Sequence, residues 1–142
     1  MSDILIVDDE RDIRQLISDI LEDEGYPTRL AGNSDEAMRA VSDAAPALMV
    51  LDIWLKDSQM DGIDILKTVK RDNPDVPVVI ISGHGNIEIA VAAIKQGAYD
   101  FIEKPFEPEI LLETVRRASE KRRLILENRN LRKQLEDSSG IE

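Results

Sequence analysis

The stretch IVDDE (residues 6–10) places a cluster of acidic residues directly after a run of apolar ones. Two later stretches, LMVLDIW (48–54) and YDFIEKPF (99–106), share this design, since a charged residue follows or interrupts an apolar run in each. Uninterrupted apolar runs are typical of strands that are buried on both faces of a parallel sheet. The three stretches therefore predict an open α/β sheet whose strands end in charged residues.

Four of these charged residues fall where a strand would end, and they are Asp8, Asp9, Asp52 and Lys104. Open α/β sheets bind their ligands at the carboxyl ends of their strands. Hard divalent cations prefer carboxylate oxygens, and an ammonium group pairs with phosphate oxygens. This combination of side chains at one edge indicates a divalent cation beside a phosphoryl group.

Strand patterns and amphipathic helical patterns alternate along the whole chain. The strand patterns cover 3–7, 27–31, 47–51, 77–81 and 99–102, and the helical ones cover about 10–24, 34–44, 62–72, 86–96 and a stretch beginning near 107. Because parallel crossovers are right-handed, this alternation predicts a doubly wound, flavodoxin-like sheet of five parallel strands in the order 2-1-3-4-5. The switch point of that order lies between strands 1 and 3, which carry the three aspartates.

Residues with turn and cap preferences mark several predicted helix ends. Asn33 or Ser34 is expected to cap the second helix and Asn86 the fourth, because their side chains can accept a bond from the first turn. Gly25 and Gly97 are expected to end the first and fourth helices.

Length and composition fit a single domain with a short appendage. The 142 residues are 42% hydrophobic, contain no cysteine and include no apolar stretch long enough to cross a membrane. The first ten residues also contain no basic region before an apolar core, as a signal peptide would have. We therefore expect a cytoplasmic protein without a membrane partner, and the absence of cysteine suits a reducing compartment.

The net charge of −11 is distributed unevenly. Residues 1–115 contain 24 acidic and 10 basic side chains, whereas residues 116–142 contain 5 acidic and 8 basic ones. The acidic body would repel nucleic acid. The basic part could be a nucleic-acid patch, but its alternation with Glu120 and Glu127 favours a solvated helix with i, i+4 ion pairs.

The last helical pattern is unusually long, since residues 109–137 contain neither Gly nor Pro. Its second half has a heptad-like series of residues, Leu124, Asn128, Leu131 and Leu135. An Asn at an a position favours two strands in fixed register, which predicts a short dimerising coiled coil. The alternative is an extended helix that frays when alone.

A complete set of residues at the strand ends carries a resemblance to a known family. Paired acids follow strand 1, Asp52 follows strand 3, Ser82-Gly83 follows strand 4 and Lys104-Pro105 follows strand 5. Over about residues 3–118 this arrangement resembles the receiver domain of two-component response regulators, which has a CheY-like fold. The similarity is greatest to the NtrC group and its NtrX-like branch in three stretches, LDIWLKDSQMDG (51–62), ISGHGNIE (81–88) and GAYDFIEKPF (97–106).

The resemblance implies a phosphoacceptor site that depends on Mg²⁺. Asp52 would be the nucleophile that takes a phosphoryl group from a sensor histidine kinase or a small phosphodonor. Asp9 and Asp52 would bind Mg²⁺ directly, Asp8 mostly through water, and the Trp54 carbonyl would supply another oxygen. Three close carboxylates without the metal should raise one another's pKa.

The resemblance also implies a switch that senses the phosphoryl group. Lys104 would neutralise a phosphoryl oxygen, and the Ser82 hydroxyl would donate to another. Phe101 would be the switch aromatic that follows Ser82 inward, although plain core packing is the alternative for such a ring. Tyr99 lies on the same alternate face of strand 5 by spacing but is not expected to hold that role. The Lys104–Pro105 peptide bond is expected to be cis.

Two residues near the expected site have no fixed role in the family. Trp54 and His84 follow the acceptor and the hydroxyl residue by two positions, so we expect them to tune the lifetime of the phosphoryl group. For His84, a loop residue at the rim is the alternative. The family pattern is also broken at Lys56, where Pro is common, in a longer loop to Asp61-Gly62, and at Gly83, where many members have Ala.

We expect three parts, a receiver domain (1–118), a helical linker that could form a short coiled coil (119–137) and a disordered end (138–142). Phosphorylation would switch the surface of helix 4, strand 5 and helix 5 and with it homodimer formation. The resemblance implies a longer protein with an AAA+ part and a DNA-binding part, and DNA would be bound only through that further part. The 142 residues themselves contain no P-loop motif. The chain would be no enzyme but a phosphoacceptor with slow autodephosphorylation.

Two alternatives to this function remain open. A phosphatase or phosphomutase with an aspartyl phosphate would need a second Asp two positions after the nucleophile, where Trp54 stands. A stand-alone or degenerate receiver could act as a protein-interaction module, but that reading leaves the complete set of site residues unexplained.

Overall fold

The computed structural model describes residues 3–54, 61–83 and 87–139. The strands are β1 (Ile4–Val7), β2 (Thr28–Ala31), β3 (Leu48–Asp52), β4 (Val78–Ser82) and β5 (Asp100–Glu103). The helices are α1 (Arg11–Asp23), α2 (Ser34–Asp43), α3 (Gly62–Asp72), α4 (Ile87–Lys95) and α5 (Pro108–Ser139). Each strand starts and ends within one residue of its predicted bounds.

All five strands are parallel and form one sheet in the order β2-β1-β3-β4-β5. The predicted fold class and strand order are therefore confirmed. In the register, Val7 lies opposite Leu51, and Asp52 lies opposite Ile81. This register brings the carboxyl ends of β1, β3 and β4 to the same edge.

Two apolar cores cover the two faces of the sheet. One face carries Leu5, Met49 and Ile80 and packs against α2, α3 and α4. The other carries Ile6, Val50 and Ile81 and packs against α1 and α5. Because both faces are buried, successive strand residues must all be apolar, which explains the uninterrupted runs in the sequence.

Several helix ends follow the predicted signals. Asn33 caps α2 by accepting a hydrogen bond from the Glu36 amide at 2.9 Å. The capping box that Asp61 and Asp64 form at the start of α3 was not predicted. Gly97 follows α4 with a φ of +109°, a backbone conformation that residues other than glycine rarely adopt. The predicted cap at Asn86 lies outside the described residues.

Helix α5 continues well past the body of the domain. Leu124 and Leu131 of the heptad-like series lie on this extension and are 51% and 59% exposed. The extension is tied back to the domain by an ion pair between Arg129 and Asp75. The helix runs to Ser139, so residues 138 and 139 are helical, and residues 140–142 lie outside the description. Within the described part, none of the helices is both apolar and long enough to span a membrane.

Candidate functional site

Three aspartates meet at the carboxyl edge of the sheet. Asp8 and Asp9 follow β1, and Asp52 is the last residue of β3, the strand that pairs with β1. One carboxylate oxygen from each lies within 4.8 Å of the others. Asp8 and Asp52 are buried, with 1% and 4% exposure, whereas Asp9 is half-buried. The predicted acidic cluster is thus present at the switch point.

Lys104 supplies a positive charge to this cluster from the end of β5. Its Nζ lies 3.2 Å from Asp52 Oδ2 and 3.3 Å from Asp8 Oδ2. Its backbone N–H donates to the Ser82 carbonyl at 2.7 Å, which holds the β5 end against the β4 end. The Lys104–Pro105 peptide bond is cis.

Backbone amides fix the orientation of both buried carboxylates. The Glu10 amide donates to Asp8 Oδ1 at 2.8 Å, and the Trp54 amide donates to Asp52 Oδ1 at 3.1 Å. The second oxygen of Asp52 accepts from Lys104. Asp8 Oδ2 is buried and accepts no hydrogen bond from the described atoms, so its contact with Lys104 is an ion pair without hydrogen-bond geometry.

The electrostatics of the site favour an additional cation. Burial, and then the charge of Asp8, raise the pKa of Asp52 to about 6 against the opposing charge of Lys104. Burial likewise raises the pKa of Asp8. Burial would lower the pKa of Lys104, but the charges of Asp52 and Asp8 outweigh it and raise that pKa. One ammonium therefore leaves three carboxylates under-compensated.

The remaining predicted residues lie at varying distances from this cluster. Ser82 ends β4, is 2% exposed and lies next to Ile81, the residue paired with Asp52. Phe101 on β5 is half-buried and packs on the face covered by α2, α3 and α4. Trp54 is 52% exposed, although its backbone is bonded to Asp52. His84 and Lys56 lie outside the described residues.

The prediction that Tyr99 lies on the same face as Phe101 was wrong. Its ring packs with the core on the α1 and α5 side, whereas Phe101 packs with the opposite core. The strand begins only at Asp100, so strand alternation does not extend to Tyr99. Its ring instead lies under Lys121 of α5, with Nζ 5.3 Å from the ring centre.

Comparison with known proteins identifies the family to which this fold belongs. The profile of the response regulator receiver domain family matches residues 4–116. This chain belongs to that family. It is 56% identical over 130 residues to the nitrogen assimilation regulatory protein NtrX of Azorhizobium caulinodans, an alignment that spans 92% of this chain and 29% of the relative.

Other relatives agree with this assignment. The C4-dicarboxylate transport transcriptional regulatory protein DctD of Rhizobium meliloti is 38% identical over 136 residues, spanning 96% of this chain and 29% of the relative. The receiver domain of NtrX from Brucella abortus has a TM-score of 0.82 at 56% identity, covering 83% of this chain and 98% of that one. The chain is therefore a receiver domain of a two-component response regulator, similar to NtrX, as its sequence predicted. It spans less than a third of these full-length regulators.

The acidic cluster fits the metal that this family uses. Receiver domains generally bind Mg²⁺ at an acidic pocket and are phosphoacceptors rather than enzymes. Here three carboxylates offer oxygens within 4.8 Å of one another, and one buried oxygen, Asp8 Oδ2, has no hydrogen-bond donor within the described residues. Hard oxygen ligands of this kind suit Mg²⁺.

Sequence reasoning missed Arg14, which supports the acidic pair from α1. Its Nη1 donates to the Asp8 carbonyl at 2.7 Å. A Cβ on Gly32 would lie 2.9 Å from the same nitrogen, so the glycine leaves room for the guanidinium. The only signal in the sequence is an arginine one turn into the helix that follows the acids, and this signal is common.

The structure also explains Gly62, which sequence reasoning treated only as a family marker. A Cβ at Gly62 would lie 2.5 Å from Ile53 Cα and 2.7 Å from the Asp52 carbonyl oxygen. The Gly62 amide donates to the Ile53 carbonyl at 3.1 Å. A glycine is therefore required where α3 begins against the backbone beside Asp52.

Proposed function

We propose that Asp52 is the phosphoacceptor of this receiver domain. A carboxylate oxygen of Asp52 attacks the phosphorus of a phosphohistidine on a sensor histidine kinase, or of a small phosphodonor. The bond to the donor breaks as the new O–P bond forms, and the product is an acyl phosphate. The observation that carries this proposal is the convergence of Asp52 with Asp8, Asp9 and Lys104 at the switch point of the sheet.

The acidic cluster would hold Mg²⁺ through Asp8, Asp9 and Asp52, and the Trp54 carbonyl is proposed as a further ligand. When bound, Mg²⁺ offsets negative charge on the carboxylates and on the phosphoryl oxygens. The raised pKa of Asp52 supports this assignment. Burial and the charge of Asp8 destabilise the ionised Asp52 carboxylate, and a bound cation would offset both effects. Asp8 and Asp9 would thus hold the cation that assists the reaction of Asp52, and neither would be phosphorylated.

Lys104 and Ser82 would recognise the transferred group. The ammonium of Lys104 already touches Asp52 and can neutralise a phosphoryl oxygen on it. Ser82 ends the neighbouring strand and can donate its hydroxyl to another oxygen. Movement of Ser82 would draw Phe101 inward, since the Ser82 carbonyl and the β5 end are joined by a backbone hydrogen bond.

This switch would change the surface of α4, β5 and α5 and promote a homodimer. Ile87, Val91 and Ile94 lie four and three residues apart on α4 and are 51%, 44% and 38% exposed. This spacing places them on one face of the helix. Exposed apolar stripes of this kind mark protein interaction sites, and they support dimerisation through this face.

The receiver would control a longer regulator. The NtrX relative is about three times as long as this chain, which spans 29% of it. We infer that an AAA+ and DNA-binding part of such a regulator binds DNA, that the protein acts in the cytoplasm, and that its output concerns nitrogen assimilation. Phosphotransfer is self-limited here, and slow autodephosphorylation resets the switch.

The test is labelling with acetyl phosphate and Mg²⁺, followed by intact-mass measurement. The wild-type chain should gain one phosphoryl group, and Asp52→Asn should gain none. Asp35→Asn, an exposed aspartate in the first turn of α2, is the matched control and should label like wild type. Undiminished labelling of Asp52→Asn would place the acceptor elsewhere, and labelling that survives chelation would remove the metal from the proposal.

A further inference from the structure

A cavity lies at the end of the sheet opposite Asp52. It measures about 210 Å³ and is several times larger than the ~30 Å³ that one water occupies in the liquid. It is open between α3, the segments that lead into β4 and β5, and the α5 extension. Its lining comprises Lys70, Pro74, Asp75, Pro77, Gly97, Ala98, Tyr99, Lys121, Arg122 and Ile125.

The cavity is strongly basic within an acidic protein. Lys70, Lys121 and Arg122 line it. Within the described part of the chain, the one carboxylate in the lining is Asp75, and this group is already paired with Arg129. Asp75 also interacts electrostatically with Lys70, so the three cations and one carboxylate of the lining leave a net charge of +2 in a chain whose net charge is −11.

Two cations of the lining are incompletely hydrogen-bonded. Arg122 Nε is buried and bonds to no atom of the described residues. Lys70 Nζ donates to the Pro74 and Val76 carbonyls at 2.8 and 3.1 Å, and an ammonium group has a third N–H. The remaining N–H of Lys70 can therefore donate to an oxygen-rich ligand in the cavity.

The cations also repel one another across two elements. Burial and then the charge of Lys121 lower the pKa of Lys70. The Lys121 ammonium lies over the Tyr99 ring, and this cation–π contact stabilises its positive charge. The repulsion therefore acts between α3 in the domain body and the α5 extension.

We propose that this cavity binds a small dianionic oxyanion of the phosphate class. Guanidinium and ammonium groups are the side chains that recognise phosphate oxygens, and the net charge of +2 on the lining matches an anion of charge about −2. The modest volume and the acidic body exclude a polyanion such as nucleic acid.

Anion binding at this place fixes the base of the α5 extension against the domain. The ligand neutralises cations from α3 and α5 together, so it adds to the Arg129–Asp75 ion pair that already ties the extension to the domain. This site is separate from the proposed phosphoacceptor, because it lies at the amino ends of β4 and β5. Its occupancy sets the position of the helix that carries Leu124 and Leu131.

The test is a titration of the full chain with inorganic phosphate at constant ionic strength, with amide NMR shifts resolved by residue and chloride as the reference arm. The Gly97 and Ala98 amides should shift saturably with phosphate and little with chloride. Arg122→Gln and Lys70→Met should each weaken binding about tenfold, the effect of losing one charge-assisted hydrogen bond. Arg117→Gln, which removes an exposed cation of the same helix, is the matched control and should bind like wild type.

A parallel arm with glycerol phosphate separates the two sources of this chemistry. Tighter binding than that of inorganic phosphate assigns the site to phosphomonoesters, and equal binding assigns it to the free anion. Equal shifts with phosphate and chloride, equal weakening in Arg117→Gln and Arg122→Gln, or saturable shifts confined to the edge near Lys104 would overturn the proposal. Acetyl phosphate labelling of Asp52 in the same variants reports separately on the phosphoacceptor.

Discussion

Asp52→Asn should make the metal-free protein more stable, although it removes the proposed acceptor. Asp52 is 4% exposed, and its pKa is raised from 3.8 to about 6, by burial first and then by the charge of Asp8. A carboxyl group with a raised pKa stabilises the fold while it is protonated. That contribution is complete below about pH 3.8 and is lost as the pH rises through about 6.

The size of the effect follows from the two pKa values. The difference between about 6 and 3.8 corresponds to roughly 3 kcal/mol of lost stability at about pH 8, and to about half of that at about pH 5. Asparagine is neutral at every pH and escapes this loss, but it gives up the contact with Lys104. We therefore expect a net gain of about 1–3 kcal/mol at about pH 8, which shrinks as the pH falls.

The assay is urea unfolding followed by circular dichroism in the presence of a chelator. A gain of this size moves the midpoint upward by about 1 M, since urea m-values for small domains are about 1–3 kcal/mol/M. Adding Mg²⁺ should stabilise the wild type by up to about 3 kcal/mol at a hundredfold excess over Kd, and it should stabilise the variant much less.

The matched control reverses the sign of the effect. Asp35→Asn removes an exposed carboxylate from the first turn of α2, where negative charge is favourable, so it should cost a few tenths of a kcal/mol. The reasoning fails if Asp52→Asn is less stable than wild type at about pH 8 without metal. It also fails if the gain in stability is the same at about pH 5 as at about pH 8, because a gain that does not depend on pH does not come from removing a titrating carboxylate.

Three further predictions concern the surroundings of the site. Arg14→Met should weaken Mg²⁺ binding about tenfold or more, because the hydrogen bond to the Asp8 carbonyl is lost. Gly32→Ala should have the same effect, because its Cβ would displace the guanidinium. A tryptophan fluorescence titration with Mg²⁺ measures both. Trp54→Ala should shorten the half-life of the phosphorylated chain more than His84→Ala, because the indole would exclude water; intact-mass decay gives the order, and the reverse order would contradict it. A beryllofluoride mimic should strengthen self-association in sedimentation experiments, and truncation after Ala118 should weaken it; equal association constants in all states would remove the dimer switch.

The fold could be predicted because burial on both faces leaves a clear mark on the sequence. The apolar runs before Asp8 and Asp52 contain no polar residue to break them, and the charged residues mark the strand ends. The acidic cluster then follows from strand order alone, since adjacent parallel strands bring their carboxyl ends together. These inferences depend on topology and need no side-chain conformation.

Features that depend on side-chain reach could not be predicted in this way. The contact of Arg14 with the Asp8 carbonyl requires the empty space beside Gly32, which belongs to another strand–helix connection. The face of Tyr99 depended on where β5 begins, and a shift of one residue reverses the face in a strand. The sequence suggested mutual repulsion as the cause of raised carboxylate pKa values, whereas burial is the larger cause for Asp52.

The charge balance of the site explains why a single lysine can serve both states of the proposed switch. Three carboxylates and Lys104 leave a charge of about −2 when all are ionised, and a divalent cation brings the cluster close to neutrality. A phosphoryl group on Asp52 then adds about −1.5 to −2. Lys104, which follows β5 and already contacts Asp52, and Ser82, which ends the adjacent strand β4, are the residues proposed to meet this new charge. Lys104 must share its charge between the carboxylates and the phosphoryl group, so phosphorylation pulls on the ends of β4 and β5 together. The backbone hydrogen bond from Lys104 to Ser82 joins these two strand ends, so a shift of one should move the other. This coupling is the physical reason to expect that phosphorylation changes the surface of α4, β5 and α5.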